Sequence, residues 1–252
     1  MFIFSVSFSR NNSLFGDFLC FSTIQSRYDR RLCFNFRSMK KQLLIFDLDG
    51  TLVDSSRDLT TGINLMRVHY RLPPLDRKTV AGYIGDGIRK LVERSLQGED
   101  IDVDEALALD RKFYAEHMLD ETRLYPGAAD GLKKLTGHQP AVFSNKPGDA
   151  TRAILKHLGV DHLFFRILGG GDLQNLKPAP DGIDLLIKES GISRKDTWMI
   201  GDHHTDLEAA HNAGVKSGFV SYGIGHPGEF IADQTWHGFQ ELVNFFIDLN
   251  CE

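Results

Sequence analysis

One short stretch near the start of the chain limits what this protein can fold into. It is an unbroken apolar run, Leu43 to Phe46, followed at once by the acidic residues Asp47 and Asp49. Four consecutive apolar residues are typical of a strand that is buried on both faces. Carboxylates at the end of such a strand are costly unless a cation or a metal balances them, and the nearest basic residues, Lys40 and Lys41, precede the strand. We therefore interpret this stretch as an active-site strand.

Composition places the chain among globular proteins. Its 252 residues are 42% hydrophobic and 25% charged, which suffices for one large core or for a core with an inserted module. A net charge of −5 argues against a nucleic-acid-binding protein, and no apolar run approaches the length of a membrane span. Because Cys20, Cys33 and Cys251 all lie near the termini, we expect no disulfide in the body of the chain and a reducing compartment, the cytoplasm.

The first 38 residues differ in character from the rest of the chain. They are rich in Phe and Ser, carry five arginines against two aspartates, and show no helical or strand period. Targeting segments are also rich in Arg and Ser, but the aromatic density here fits them poorly. A second interpretation is that Met39 is the natural first residue and that residues 1–38 are upstream sequence. We favour the second interpretation and expect this leader to pack on nothing.

A helical insert is predicted between the first strand and the rest of the chain. Apolar residues at three- and four-residue spacing, interrupted by glycines and prolines, predict helices over residues 56–70, 78–97 and 103–119. No part of residues 56–124 has the pattern of a strand. We expect these apolar stripes to form the core of a cap domain over residues 56–124.

Strands and helices alternate from Tyr125 onward. The apolar runs predict strands at 141–144, 166–168, 198–201 and 218–221, and helices at 128–135, 149–158, 181–189 and 206–213. This alternation predicts an α/β fold with a doubly wound parallel sheet and a ligand site at the carboxyl ends of its strands. The predicted core domain therefore comprises residues 39–55 and 125–252.

Polar residues follow the predicted strands at the place where a ligand site is expected. Ser144 and Asn145 end one strand, Lys177 precedes a helix, and Asp202 and Asp206 follow another strand. A hydroxyl, an amide, an ammonium and two carboxylates would thus meet at one edge of the sheet. Each is a chemically different group at an equivalent place in the predicted sheet, the same place that Asp47 and Asp49 occupy after the first strand.

Taken together, these groups resemble the haloacid dehalogenase superfamily of phosphohydrolases. The motifs of that family are Asp-x-Asp-Gly-Thr, a strand-end Ser or Thr, a Lys before a helix, and Gly-Asp-x-x-x-Asp. The chain carries all of them in that order between Lys41 and about Phe246. Its helical insert is placed as in members with a helical cap after the first motif. Residues 83–87, 144–147 and 169–172 are most similar to phosphoglycolate phosphatases.

The resemblance implies a magnesium-dependent phosphatase of the Rossmann-like superfamily fold, acting on a small phosphate monoester, 2-phosphoglycolate in particular. Asp47 would be the nucleophile that forms an aspartyl-phosphate, and Asp49 would act first as an acid and then as a base. Asp47, the backbone carbonyl of Asp49 and Asp202 would hold Mg²⁺, with Asp206 orienting its waters or Lys177. Lys177 would pair with the nucleophile and with the transferred group.

Substrate contacts are expected from both predicted domains. The candidates are Thr51, Ser144 and Asn145 in the core, and Gly85, Gly87 and Arg89 in the cap. Ser144 could instead cap the following helix, and Arg89 could be an ordinary solvent-facing residue. His203 and His204 invite a metal interpretation, but adjacent loop residues rarely face one ion. We therefore assign no role to these two histidines.

Other functions are compatible with the same motifs. A β-phosphoglucomutase-like mutase, or a phosphatase for another small metabolite, would use the same scaffold because the cap selects the substrate. A dehalogenase is disfavoured, since halide displacement does not need the acid/base that Asp49 supplies. A binding protein without activity is also disfavoured, because the charged motif residues are all present. The expected partner is a small phosphorylated metabolite rather than a nucleic acid or a membrane, and the sequence defines no oligomeric state.

Overall fold

A six-stranded sheet forms the centre of the molecule in the computed structural model, which describes residues 41–249. In chain order the strands are β1 Leu43–Phe46, β2 Val53–Asp54, β3 Arg123–Leu124, β4 Gln139–Pro147, β5 Arg166–Gly170, β6 Thr197–Gly201, β7 Lys216–Val220 and β8 Gln234–Trp236. The helices are α1 Ser56–His69, α2 Arg77–Ala81, α3 Ile88–Ser95, α4 Val103–His117, α5 Ala128–Lys134, α6 Gly148–His157, α7 Asp181–Ser190, α8 His204–Ala213 and α9 Phe239–Asp248. The expectation for the leader, residues 1–38, lies outside the described residues.

The large sheet is parallel, as the alternating pattern predicts. Its strand order is β5-β4-β1-β6-β7-β8, and every neighbouring pair runs in the same direction. Strand β1 occupies a central position, and the order reverses direction on either side of it. This is the arrangement in which parallel strands open a crevice at their carboxyl ends.

Strand β1 shows why its apolar run is unbroken. Leu44 and Phe46 belong to a hydrophobic cluster on one face of the sheet, whereas Leu43 and Ile45 belong to a separate cluster on the other face. All four side chains are fully buried. Because side chains alternate between the two faces of a strand, burial on both faces requires apolar residues at every position.

Two elements at the carboxyl end of the chain were not predicted. Strand β8 adds a three-residue strand at the edge of the sheet, beside β7. Helix α9 packs across one face of the sheet through Phe239, Leu242, Val243 and Phe246. The spacing of these four residues is helical, so a stripe that identified the earlier helices was also present here. Strand β8 is too short for its period to stand out.

Helices α1 to α4 form the insert, which has a hydrophobic cluster of its own. The cluster includes Ile63 and Met66 of α1, Val92 of α3 and Tyr114 of α4. The helix expected over residues 78–97 is instead two short helices, α2 and α3. Gly85 and Gly87 separate them with φ values of +124° and +90°, which are conformations that side-chain-bearing residues rarely adopt.

The insert joins the core through a small antiparallel ladder. Val53 and Asp54 of β2 pair with Leu124 and Arg123 of β3. The expectation that residues 56–124 contain no strand was therefore wrong at their end, because a two-residue strand is too short to show alternation. None of the helices over residues 41–249 is long and apolar enough to cross a membrane.

Candidate active site

The charged motif residues meet at the carboxyl ends of the central strands. Asp47 directly follows β1, and its backbone N–H donates to the carbonyl of Ile200 in β6 at 2.9 Å. Asp202 directly follows β6, and Lys177 lies in the connection between β5 and α7. These side chains are all at least nine-tenths buried. Neighbouring strands in register thus bring residues from distant parts of the chain into one site.

A buried lysine joins two of the carboxylates. Lys177 Nζ lies 2.8 Å from Asp47 Oδ1 and 2.7 Å from Asp206 Oδ1. Burial works against the charged ammonium, but the charges of Asp206 and Asp47 outweigh it, so the pKa of Lys177 is raised. Lys177 is therefore held as a cation against the aspartate at the end of β1.

Asp202 is fixed by three donors. The backbone N–H groups of Ile224 and Gly225 donate to its Oδ2 at 2.9 and 2.8 Å, and the Thr51 hydroxyl donates to its Oδ1 at 3.1 Å. Gly50 allows the approach of the neighbouring loop, since a Cβ at this position would lie 2.0 Å from Asp202 Oδ2. The Thr51 hydroxyl is thus bonded to the Asp202 carboxylate, and the expectation that Thr51 contacts substrate stays a prediction.

Three carboxylates in this site share one ammonium group, that of Lys177, among the residues that the structure describes. Oxygen atoms of Asp47, Asp202 and Asp206 all lie within 4.8 Å of one another, and each residue is buried. Among the protein groups alone, burial raises the pKa of Asp47 to about 6, and burial together with Asp47 and Asp206 raises the pKa of Asp202 to about 8. A divalent cation would balance this excess of negative charge, so the cluster fits a metal site with oxygen ligands.

Asp49 has a cationic partner that the sequence analysis did not single out as a site residue. Lys146 Nζ lies 3.0 Å from both carboxylate oxygens of Asp49, and the Ser55 hydroxyl donates to Oδ1. The ammonium also lies 4.7 Å from the ring centroid of Tyr114 in the insert. Burial disfavours the Lys146 cation, but the charge of Asp49 raises its pKa overall. The available indication was a lysine two residues after Ser144, within the polar end of a strand that points at the site.

The side-chain amide of Asn145 is bonded to two backbone segments, at Gly85 and at Lys177. Its Nδ2 donates to the carbonyls of Lys177 at 3.0 Å and Gly85 at 3.1 Å, and its Oδ1 accepts from the Lys177 backbone N–H at 2.7 Å. Both amide hydrogens are therefore used. The side-chain amide therefore links the insert loop to the segment that carries Lys177, and the expectation that Asn145 donates to a phosphoryl group stays a prediction.

A small cavity lies between the insert and the carboxylate end of the sheet. The insert lines it with Leu59, Ile84, Gly85, Gly87, Ile88, Leu91 and Tyr114. The core lines it with Asp47, Asp49, Ser144, Asn145, Lys146 and Pro147. The centres of water molecules can occupy about 40 Å³ of it, which amounts to a few waters. The cavity therefore suits a small ligand.

Arg89 is outside this cavity. Its guanidinium pairs with Asp104 of α4, and about half of its side chain is exposed. The sequence placed Arg89 among the substrate contacts, whereas the structure places it in the neighbouring groove between the insert and residues 170–176. The predicted cap glycines, Gly85 and Gly87, do line the cavity.

Comparisons with known proteins agree with this geometry. The family model for haloacid dehalogenase-like hydrolases matches residues 44–220. Phosphoglycolate phosphatase 1 of Pseudomonas aeruginosa is 36% identical over 210 residues, covering 79% of this chain and 76% of the relative. The phosphoglycolate phosphatase of Chromobacterium violaceum is 36% identical over 207 residues, covering 79% and 93%.

A solved structure shows the same arrangement of elements. The crystal structure of a predicted phosphoglycolate phosphatase from Haemophilus somnus matches with a TM-score of 0.76 and 31% identity, covering 82% of this chain and 99% of that one. The matched family region contains the carboxylate cluster and the buried Lys177. Since sequence, fold and site agree over most of its length, this chain belongs to the haloacid dehalogenase-like hydrolases, and it is a phosphatase.

Proposed function

We propose that this phosphatase hydrolyses 2-phosphoglycolate in a magnesium-dependent reaction through an aspartyl-phosphate at Asp47. The observation that carries the proposal is the buried cluster of Asp47, Asp202 and Asp206, whose one cationic partner among residues 41–249 is Lys177. A phosphate monoester is itself anionic, so this cluster can accept one only when further positive charge is supplied. The names of the relatives from Pseudomonas aeruginosa and Chromobacterium violaceum support the choice of substrate.

Mg²⁺ would be held by oxygen ligands from Asp47, Asp202 and the backbone carbonyl of Asp49. These are the hard ligands that this ion prefers in phosphoryl-transfer sites. When bound, the ion masks negative charge on the phosphoryl group during attack by an anionic nucleophile. Asp206 lies in the same cluster, but its Oδ1 is bonded to Lys177 and its Oδ2 accepts the His203 backbone N–H at 3.1 Å. Asp206 therefore positions the lysine.

The reaction would proceed in two displacements at phosphorus. In the first, the Asp47 carboxylate attacks, the bond between phosphorus and the glycolate oxygen breaks, and Asp49 gives its proton to the departing oxygen. In the second, a water molecule attacks the aspartyl-phosphate and loses its proton to Asp49, which frees phosphate and Asp47. Lys177 stabilises the charge that develops on the transferred group, and the Ser144 hydroxyl supplies a further donor.

Lys146 would recognise the carboxylate of the substrate. It is the one cationic side chain among the described residues that line the cavity. The cavity is small, and the wall contributed by Leu59, Ile88 and Leu91 is apolar. A two-carbon acid fits this combination, since one end can reach Asp47 while the other meets an ammonium group. Gly85 and Gly87 of the insert would close over it.

The domain division and the location of the protein remain part of this proposal. Residues 39–55 and 125–252 would form the core domain, and residues 56–124 would form a cap that selects the substrate. The separate hydrophobic cluster of α1 to α4 supports this division. A cytoplasmic location is supported by the sequence between residues 41 and 249, which contains no cysteine and hence no disulfide.

The test is phosphate release from 2-phosphoglycolate by the wild type and by Asp47→Asn, with and without Mg²⁺. We expect a loss of about 10⁴-fold or more in kcat for Asp47→Asn, because the amide cannot form the covalent intermediate. Asp130→Asn is the control, since Asp130 is an exposed residue on α5. Labelled phosphate that is released by hydroxylamine should be trapped on the wild type and on Asp130→Asn, but not on Asp47→Asn. Near wild-type turnover by Asp47→Asn would refute the mechanism.

A further inference from the structure

Three imidazole rings meet beside the active site, in a place that the phosphatase reaction does not use. His203 and His204 begin helix α8, and His226 lies in the loop after β7. The ring centroids of His203 and His204 are 4.1 Å apart, and each is 5.4 to 5.5 Å from the centroid of His226. One nitrogen from each ring lies within 4.8 Å of the other two. We call these residues the histidine cluster.

The nitrogen atoms of the cluster are not all accounted for by protein contacts. Nδ1 of His204 is buried and has no hydrogen-bond partner among the described residues. Nδ1 of His203 lies 3.1 Å from the Thr205 hydroxyl and 3.5 Å from the Thr205 backbone N–H, which donates to it. In the tautomer in which Nδ1 instead donates to the hydroxyl, the lone pair of Nε2 is available to an ion. His226 is exposed, and the Gly228 backbone N–H donates to its Nδ1 at 3.2 Å. Binding an ion would require this exposed ring to give up that contact, which leaves one nitrogen to carry the proton and the other to bind. A buried nitrogen without a partner indicates a missing ligand.

A carboxylate from the insert reaches the same place. Asp86 Oδ1 lies 3.8 Å from His204 Nε2, while its other oxygen accepts from Arg94. The neighbouring residue, Gly85, packs directly on the His203 ring, since a Cβ there would lie 2.6 Å from Nδ1. The histidine cluster thus belongs to the core, and its fourth potential ligand belongs to the loop that covers the cavity.

We propose that His203, His204 and His226 bind a divalent transition-metal ion of the zinc class, with Asp86 as a fourth ligand from the insert. Zn²⁺ bonds to imidazole nitrogen at about 2.0–2.1 Å in tetrahedral sites, so its ligands lie about 3.4 Å apart. Nitrogens within 4.8 Å of one another reach that spacing by modest side-chain rotation. Mg²⁺ prefers oxygen ligands, so this site and the carboxylate cluster select different ions.

The bound ion would fasten the insert to the core. It would join Asp86 to three core side chains, and Gly85 and Gly87 on either side of Asp86 line the cavity. Substrate entry and product release from so small a cavity require this loop to move. A zinc-class ion therefore slows turnover while Mg²⁺ remains in place. The binding itself does not depend on the proposed function, whereas the effect on turnover rests on it.

The primary test is calorimetric titration of the untagged protein with Zn²⁺ in the presence of saturating Mg²⁺. We expect one equivalent to bind to the wild type, and we expect His226→Ala to weaken this binding at least about 100-fold, because a direct ligand is lost. His226 is exposed and outside the catalytic machinery, so the variant should fold, as a thermal melt verifies. His211→Ala is the matched control, since His211 is an exposed histidine of α8.

The comparison between the two variants controls for zinc binding elsewhere on the protein. The three cysteines lie outside residues 41–249 and are unchanged in both variants, as is the carboxylate cluster. Equal affinity in the wild type and in His226→Ala, or no zinc equivalent in the wild type, would overturn the proposed site. Asp86→Asn should weaken zinc binding less than His226→Ala does. If Asp86→Asn binds Zn²⁺ as tightly as the wild type, Asp86 is not a ligand.

The second readout is phosphate release in the Mg²⁺-loaded protein as Zn²⁺ is added. We expect turnover by the wild type and by His211→Ala to fall, and turnover by His226→Ala to be retained at the same Zn²⁺ concentration. Equal inhibition of all three proteins would contradict the idea that the ion holds the insert against the core. It would instead assign the inhibition by Zn²⁺ to binding at the carboxylate cluster. If no variant releases phosphate, the proposed function fails, and the calorimetric comparison still decides the metal site.

Discussion

The two walls of the cavity differ in almost every physical respect. The wall formed by the sheet holds Asp47, Asp49 and Lys146, which are largely shielded charges paired at hydrogen-bond distance: Asp49 with Lys146, and Asp47 with Lys177. The wall formed by the insert is mainly apolar, with Leu59 and Leu91 among its residues. Charges can be held in place only by a rigid scaffold with fixed partners, whereas shape can be provided by a smaller helical unit. Under the proposed function, this difference means that the sheet would carry the chemistry and the insert would select the substrate.

The largest effect is expected on the sheet side of this comparison, at Lys177. Replacing it in Lys177→Met leaves Asp47 and Asp206 buried beside each other without their ammonium partner. We expect kcat for 2-phosphoglycolate to fall by about 10²–10³-fold, because a fixed positive charge on the transferred group is lost. Steady-state kinetics with saturating Mg²⁺ measure this change.

Two controls separate catalysis from folding in that experiment. Lys188→Met alters an exposed lysine on α7 and should leave kcat unchanged. Lys177→Arg keeps the charge but not the compact shape of the ammonium, so we expect only partial recovery. Wild-type kcat in a folded Lys177→Met protein would mean that the sheet wall does not carry the chemistry.

A prediction at Lys146 tests a residue that lies between the sheet wall and the insert wall of the cavity. It contacts Asp49 of the core and the Tyr114 ring of the insert. We expect Lys146→Met to lower kcat/KM for 2-phosphoglycolate by about 10²-fold, because a buried charge-assisted contact is lost. The loss should be clearly smaller for ethyl phosphate, which has the same carbon number but no carboxylate.

The two substrates distinguish the possible roles of Lys146. An equal loss for both esters would assign Lys146 to the positioning of Asp49 alone and would leave the recognition of a substrate carboxylate without support. Lys133→Met, at an exposed lysine of α5, should change neither value.

A buried carboxyl in the insert gives a prediction about stability. Burial raises the pKa of Asp110 in α4 to about 7, although Lys146 and Arg111 act in the opposite direction. The folded state therefore binds this proton more tightly than the unfolded state, and the stability that this brings is lost as the pH rises from about 4 through 7. We expect Asp110→Asn to lose less stability over this range than the wild type does, by about 1–3 kcal/mol.

Denaturant unfolding at several pH values measures this difference. Glu116→Gln is the control, because Glu116 is an exposed acid on the same helix. Parallel pH profiles for the wild type and Asp110→Asn would show that Asp110 does not titrate in this range. The raised pKa of Asp110 would then have no effect on the stability of the insert.

The smallest effect is expected at Arg89. Because its guanidinium pairs with Asp104 outside the cavity, Arg89→Ala should change KM for each of several phosphate esters by no more than about two- to threefold. Lys90→Ala, at the neighbouring exposed lysine, is the matched control. A change in the order of substrate preference for Arg89→Ala alone would return Arg89 to the list of substrate contacts.

The local hydrophobic pattern of the sequence predicted much of the fold. The apolar run from Leu43 to Phe46 indicated a strand buried on both faces, and the structure confirms it at the centre of the sheet. Helical stripes indicated α1 and α4, because their periods are long enough to recognise. Strands β2, β3 and β8 were missed, since two or three residues show no alternation. The break between α2 and α3 depends on backbone conformation at glycines, which composition indicates only broadly.

The candidate site divides in the same way. The sequence by itself determined which acids and lysines stand at strand ends, and thus the motif residues Asp47, Asp202 and Lys177. Only the tertiary structure decided which side chains come together. It places Lys146 against Asp49, and it places His226 beside His203 and His204. The physical reason is range. Strand and helix periods are set by neighbouring residues, whereas a buried charge or a free imidazole nitrogen is satisfied by groups that folding brings from far along the chain.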